Sequence, residues 1–417
     1  MVNNRRLTAA ILLSATAFGA YAQSRGPAAQ YWVDLSTSNV SMPGMPDEGS
    51  AGAGLLGGLM GGNAFGGSMG MGMSRGKWLD AELYVRANSN GVDGTHAIPS
   101  VMNMGPSLLL TPIRPKQSTQ GSTRTSRDES TEKPKGRILL YWGCGETVRP
   151  GQPKILDFAK QEYGEYAQFF ASHGAPSKGV QGRPGHSIWP NERDSKRVPN
   201  EASLLGDHAV TGDGVPASLK FTVGAGYDFL PKVQLSTKGE PKDSVLAQWQ
   251  TMQNAKAYFL TAQGGAESAN GAHDMILWSS SEKPDNGWAL MTYQSPAQIT
   301  KLLQQKVVLP PSTANCAIPK AIFEKAQGAM LNMIAYGPEL NLSHPQRPQK
   351  APADWQPEWT ARVRIKSTGM TMLGMEDGGS ERSAGRQSAG AGGDADATSP
   401  LPSVPNPLNL LKGIFSN

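Results

Sequence analysis

The sequence predicts a mainly β protein, and three observations carry that expectation. Trp78 to Ala87 alternates, with Leu79, Ala81, Leu83 and Val85 on one face and Asp80, Glu82 and Arg86 on the other. That period of two is the mark of a half-buried strand. Ile138–Trp142 and Met275–Trp278 are short continuous apolar runs, as strands covered on both faces require. Turn sequences such as Asn90-Gly91, Asp213-Gly214 and Asp285-Asn286-Gly287 separate such runs. The spacing suits one or two β-sandwich-like (Ig-like) domains with few short helices.

From the N-terminus, Arg5 and Arg6 precede an apolar stretch from Leu7 to Phe18, and Ala20-Tyr21-Ala22 stands before Gln23. This is the order of a cleavable secretory signal peptide, residues 1–22. Its apolar part is too short to cross a bilayer core of about 30 Å. No cysteine follows the small residues, so no lipid anchor is expected. Export places the mature chain in the periplasm or outside the cell. The formal net charge is +5, and loss of the two arginines leaves +3. That is too little for a nucleic-acid footprint, and no nucleic-acid partner is expected. No later stretch approaches 18 continuous apolar residues, so no transmembrane helix is expected in the mature chain.

With 49 Gly and 31 Pro, part of the chain cannot bury a core. Residues 36–76, 115–136 and 376–406 are rich in Gly, Met, Ala, Ser or charge and read as long disordered low-complexity segments. The expected layout is therefore a Gly/Met-rich arm at 23–76 and a first β-domain at 77–200, interrupted by the 115–136 insertion. A second β-domain follows at 201–375, and a tail at 376–417 ends in the short amphipathic turn NPLNLLKGIF. Further strands are expected at Ala217–Val223 and Trp359–Lys366. Ser295-Pro296 caps a short helix through QITKLLQQ, and a second short helix is expected over KAIFEKAQ after Pro319. The runs Leu140-Tyr141-Trp142-Gly143-Cys144-Gly145-Glu146 and Ile276-Leu277-Trp278-Ser279-Ser280-Ser281-Glu282 echo each other. They are consistent with two related β-domains, or with chance likeness between two buried strands.

Cys144 and Cys316 are the only cysteines. In an exported chain they are expected to pair. The other reading is two inert core thiols. The stretches YWGCGE, DMILWSSSE, ANCAIP, IAYGPEL and RVRIKSTGMTMLGM resemble a family of exported proteobacterial proteins to which no function is assigned. The resemblance spans most of residues 78–375 and implies neither an activity nor site residues.

The chain has no G-x-S-x-G nucleophile elbow and no H-E-x-x-H zinc helix. Gly52-Ala53-Gly54-Leu55-Leu56-Gly57 matches a dinucleotide fingerprint literally, but no strand precedes it. No cofactor and no resident metal are expected. The thioethers of Met69, Met71 and Met73 are a weak Cu(I) candidate on ligand softness alone. His173, His186 and His208 share a segment with Glu192, Asp194 and Asp207, which is either a loop-borne site or a surface connection. Glu146 and Glu282, at equivalent strand ends, form a weak pair for glycoside chemistry. Arg362, Arg364 and Lys366 form a basic stripe on one strand face. The stripe suits an anionic envelope partner or surface polymer, although protection of a sheet edge is the preferred reading. Trp355 and Trp359, near Pro352 and Pro357, are expected to be exposed and available for stacking. These features favour a non-enzymatic envelope protein that binds a partner or polymer. The alternative is an extracytoplasmic hydrolase with a loop-borne Glu/His/Ser site. The sequence identifies no catalytic residue.

Overall fold

The computed structural model describes residues 26–41, 75–113, 136–160, 163–267, 273–326 and 328–373. The expected signal peptide, Met69, Met71 and Met73, the 376–417 tail and residues 115–135 of the insertion lie outside them. The described chain is mainly β. Its strands are β1 (Ala29–Ser41), β2 (Gly76–Val85), β3 (Gly94–Ala97), β4 (Ser107–Pro112), β5 (Arg137–Trp142), β6 (Lys154–Asp157), β7 (Ser187–Trp189) and β8 (Gly206–Gly212). They continue with β9 (Lys220–Val223), β10 (Leu235–Lys238), β11 (Val245–Trp249), β12 (Ala257–Glu267), β13 (His273–Ser279), β14 (Asn315–Ile318), β15 (Ala329–His344) and β16 (Trp359–Met372). Two short α-helices, α1 (Tyr163–Phe170) and α2 (Pro296–Gln304), and single 3-10 turns at Ser100–Met102 and Trp288–Leu290 complete the regular structure of the described residues. Ser295 caps α2 as its sequence predicts, its side chain accepting from the Gln298 amide.

Thirteen strands form one sheet in the order β6-β5-β13-β12-β15-β16-β1-β2-β7-β4-β3-β8-β9, and β10-β11-β14 form a second. The long strands lie at the centre. β16 runs antiparallel to β15 and parallel to β1, which runs antiparallel to β2. The expected boundary at residue 200 does not divide this sheet, because β5 from the first half pairs in parallel with β13 from the second. The two echoing runs are thus side by side, Leu140 opposite Leu277 and Trp142 opposite Ser279.

The arm expected at 23–76 is corrected at both ends. Ala29–Ser41 form a central strand, and β2 begins at Gly76. Ser36 to Ser41 read as linker because they are polar, yet polar groups can be buried when each finds a partner. Here Thr37 Oγ1 donates to the Leu230 carbonyl (2.7 Å) and Asn39 Nδ2 to that of Val233 (2.8 Å). The helix expected over KAIFEKAQ is a run of turns. Ala321 lies at φ +65°, outside the helical region, while Ile322 and Phe323 are buried in the core.

The alternation found in the sequence decides which face is inside. Tyr31, Val33 and Leu35 of β1, Leu79, Ala81 and Leu83 of β2, and Ala361, Val363 and Ile365 of β16 join one core with the small sheet. Trp249 of β11 meets Tyr258 of β12 edge-on, ring centres 5.7 Å apart. The Cys144–Cys316 disulfide, with Cα atoms 5.2 Å apart, ties the end of β5 to β14 of the small sheet. The expected pairing is therefore present. The outer face is covered in sections. α1 helps bury Ile138, Leu140 and Leu277 on β5 and β13. α2 buries Phe259 of β12 and Ile334 and Tyr336 of β15. Over β16, β1 and β2 the cover is neither helix nor sheet, and the face beneath it is charged.

Candidate functional site

Register brings the polar outer-face residues of the central strands into transverse rows. Asp80, Asp34, Arg364 and Glu339 form one row across β2, β1, β16 and β15. The next row on one side is Trp78, Ser36, Lys366 and Tyr336. On the other side comes Glu82, Trp32, Arg362 and Asn341, and then Tyr84, Gln30, Thr360 and Ser343. The period of two that sends apolar side chains inward sends these outward.

An irregular strap, residues 172–186, crosses the first rows and is held by side chains of the strands and loops it covers and by backbone hydrogen bonds with Tyr293 and Ile113. The Val180 amide donates to Asp34 Oδ2 (3.1 Å), and the Gln181 and Gly182 amides donate to Glu82 Oε2 (2.5 and 2.9 Å). Arg364 donates to the Ser177 carbonyl and to Ser177 Oγ, and Arg362 Nη1 to the Lys178 carbonyl (3.1 Å). At the strap's start, Ser172 Oγ and the His173 amide donate to Asp285, itself buried behind them. Gly179 lies against the Arg364 guanidinium so closely that a Cβ there would come within 2.0 Å of its central carbon. Only glycine allows that approach.

Beneath the strap, Arg364 forms a two-pronged pair with Asp34, its Nε donating to Oδ1 at 2.6 Å and its Nη2 to Oδ2. Burial pushes the Asp34 carboxyl up, and Arg364 pulls it back. Burial pushes the guanidinium down, but the hydrogen bonds and charge of Asp34 hold it above its ordinary value. Tyr293 lies between two cations, with Arg364 4.2 Å and Lys366 4.7 Å from its ring centre, while its hydroxyl donates to the Leu35 carbonyl (2.9 Å). Burial lowers the Lys366 ammonium to about 8, Arg364 adds to the fall, and Asp34 and Asp80 resist it.

The strap ends at His186, which sits between two aromatic side chains. Trp32 stacks on it with ring centres 6.0 Å apart, and Tyr84 lies tilted at 4.9 Å. His186 Nδ1 is 2.5 Å from Glu82 Oε1, although the two atoms are not aligned as a hydrogen bond and neither has another partner. A lone pair facing a carboxylate at that distance would be repulsive, so the proton belongs on Nδ1 and the lone pair on Nε2. Burial lowers the imidazole's pKa and Arg183 adds to this, against the raising effect of Glu82.

A second buried cluster joins β1 to the flank built from β3, β8 and β9. His208 Nε2 donates to the Leu204 carbonyl (2.8 Å), so His208 Nδ1 accepts from His96 Nε2 (2.9 Å). His96 Nδ1 then accepts from the Tyr31 hydroxyl (2.7 Å). Phe221 stacks on His208 at 5.0 Å. Burial pushes both imidazoles down, His96 well below its ordinary value with His208 contributing, and His208 against the raising effects of Leu204 and Asp207. The unfolded chain takes protons near pH 6.5 and the folded chain only at lower pH, so this contribution to stability is intact above about 6.5 and is lost as pH falls below it. His208→Gln keeps one acceptor and one donor in place while removing a titrating group. Denaturant midpoints measured from pH 7 to 5 are expected to fall less steeply in His208→Gln than in the parent. An unchanged slope would contradict this role.

The site residues expected from sequence are dispersed. Arg364 and Lys366 are neither exposed nor on an edge, since β16 lies between β15 and β1 and both side chains are buried, Arg364 beneath the strap and Lys366 against the Tyr293 ring. Edge protection and direct contact with a polymer are thereby corrected for these two. Arg362 is half-buried beside Asn341 and Glu339. Trp359 is buried, its Nε1 donating to Ser218 Oγ (3.1 Å), whereas Trp355 is half-buried beneath the Arg347 guanidinium. Pro357 next to it read as exposed loop, but Trp359 opens the inward-facing series of β16. His173, His186 and His208 go to three different partners, Asp285, Glu82 and His96. Glu282 pairs with Arg149, and Glu146 is exposed. Sequence reasoning missed Asp34, whose strand was read as linker, and Tyr293. Asp80 and Glu82 were visible as the polar half of an alternating strand, but nothing local marked them as covered. Among the described residues no group of three or more His, Cys, Asp or Glu is placed to hold a metal ion, and no helix is long and apolar enough to cross a membrane. In comparisons with known proteins, no family model, curated protein or solved structure matches this chain.

Proposed function

We propose that this is an exported, non-enzymatic envelope protein whose β-scaffold binds a partner or a surface polymer. The observation that supports this reading is the enclosure of its ionisable groups. Asp34, Asp80, Glu82, Arg364 and Lys366 are all at most 6% exposed. A lysine with a lowered pKa is a competent nucleophile when substrate can reach it. Here Lys366 is 6% exposed, with its ammonium 4.7 Å from the Tyr293 ring centre. The disulfide is compatible with an oxidising compartment. Fractionation of native cells with intact-mass analysis tests the proposal. The expected species begins at Gln23, is two hydrogens lighter than its reduced form, and is recovered outside the cytoplasm. A cytoplasmic species that retains residues 1–22 and has free thiols would refute export.

A second reading, an extracytoplasmic hydrolase, is favoured by one observation: a buried carboxylate orients His186 with its Nε2 lone pair directed away from that carboxylate, as in His-dependent catalysis. Turnover of ester or glycoside substrates that disappears in His186→Gln would support it over the binding role.

A further inference from the structure

We propose that the relay of Tyr31, His96 and His208 is an acid-operated latch: between pH 7 and pH 5 the flank built from β3, β8 and β9 releases from β1, while the central strands stay paired. The sheet order places β2, β7 and β4 between β1 and β3, yet the curvature of the sheet brings His96 of β3 against Tyr31 of β1. Backbone pairing across that interval is short. β4 meets β7 at Thr111 and Pro112, and β7 meets β2 at Ala81 to Leu83. The central strands differ, since β1 is paired with β16 from Ala29 to Ser41 and with β2 from Ala29 to Ser38. Local opening is expected at the weakest such junction, and the relay is the polar tie that spans it.

The relay holds only while both imidazoles are neutral. His208 Nε2 donates to the Leu204 carbonyl, so a further proton on this ring must go to Nδ1. That atom already accepts from His96 Nε2, and protonation would set two N–H groups against each other 2.9 Å apart. A further proton on His96 must go to Nδ1, which accepts from the Tyr31 hydroxyl at 2.7 Å, and the hydroxyl would lose its acceptor. Either event leaves a cation and a broken hydrogen bond in a place where Tyr31, His96 and His208 are at most 3% exposed. Released from β1, the rings meet water and take protons near their ordinary pKa of about 6.5.

Among the described residues no carboxylate is bonded to either ring. β1 presents the Tyr31 hydroxyl, β9 the Phe221 ring, and the chain before β8 the Leu204 carbonyl. Asp207, beside His208 on β8, is on the other face, exposed and accepting from Thr222 Oγ1. Burial outweighs its pull on His208, and burial with His208 holds His96 down. Asp228 is committed to Ser203 Oγ and the Leu204 amide, at 2.6 and 2.8 Å. Lys220 of β9 is exposed and carries the same sign as an incoming proton. His186 is the contrast. It lies on the outer face with Glu82 Oε1 2.5 Å from its Nδ1, so a proton there gains a counter-charge. The inner pair gains none, and opening is what relieves it.

Amide hydrogen exchange of the purified full-length protein at pH 7 and pH 5, corrected for the intrinsic pH dependence of exchange, tests the latch. One imidazole that takes a proton only in the released flank raises the opening constant about 25-fold over this interval, and two raise it about 600-fold. Peptides from β3, β8 and β9 are expected to rise by more than the single-imidazole limit, while those from β15 and β16 keep their protection. His208→Gln keeps an acceptor for His96 and a donor for Leu204 but does not titrate, so its rise is expected to stay within about 25-fold. The comparison of flank with centre uses the parent protein alone and does not depend on how well the variant folds. Unchanged exchange in the flank would overturn the proposal. So would loss of protection in β15 and β16 together with the flank, or an undiminished rise in folded His208→Gln.

Discussion

Replacing Arg364 with alanine is expected to lower stability by about 3–5 kcal/mol, the cost of stranding one member of a buried ion pair. Asp34 would retain the Val180 amide as its charged-state partner in a site 1% exposed to solvent. Burial already pushes this carboxyl up, so without Arg364 it would be driven towards its protonated form. The strap would lose the two Arg364 contacts to Ser177 in the same step. Asp34→Asn combined with Arg364→Ala is expected to recover part of the loss, because the uncompensated charge is gone. Denaturant unfolding of the parent, both single variants and the double variant measures that coupling. Additive losses would show that the pair is not the coupled unit its geometry describes.

Reducing the disulfide is expected to have an effect of similar size from a different source. Cys144 and Cys316 are separated by 172 residues, and releasing a loop of that length returns about 5 kcal/mol of chain entropy to the unfolded state. Domains of this kind are stable by roughly 5–15 kcal/mol, so a third or more of the total is at stake. The Gly145 amide bonds the Ala317 carbonyl and the Lys320 amide bonds that of Glu146, so the native geometry beside the bridge has its own support. Cys144→Ser/Cys316→Ser should therefore fold to the same structure with a lower denaturant midpoint. An unchanged midpoint would place the bridge's effect elsewhere than in the unfolded chain.

The parts of the fold that were legible in the sequence are those where one strand records its own surroundings. The alternations around Trp78 and Trp359, the double-sided runs at Ile138 and Met275 and the capped helix at Ser295 each carry their burial pattern locally. β1 was not legible, because its Ser, Thr and Asn residues are held by hydrogen bonds to carbonyls of residues 230–233, almost two hundred positions away. The interleaving of the two halves was hidden for the same reason, since nothing in Leu139 or Leu140 announces β13 as their neighbour. Arg364 and Lys366 show the limit most sharply. An outward-facing cation on a strand reads as solvated, and only the three-dimensional course of residues 172–186 shows that a second layer of chain lies above it. The disulfide was legible because two cysteines allow a single intramolecular pairing.

The central claim is that the strap seals a charged face which would otherwise be a cleft, and amide hydrogen exchange at Val180, Gln181 and Gly182 tests it most directly. Their donors are committed to the Asp34 and Glu82 carboxylates, so exchange is expected only through opening events and well below the rate of an unfolded peptide. Asp34→Asn and Glu82→Gln should each speed it. Exchange at the unfolded-chain rate in the native protein would mean that the strap stands open and that Arg364 is accessible, contradicting the account.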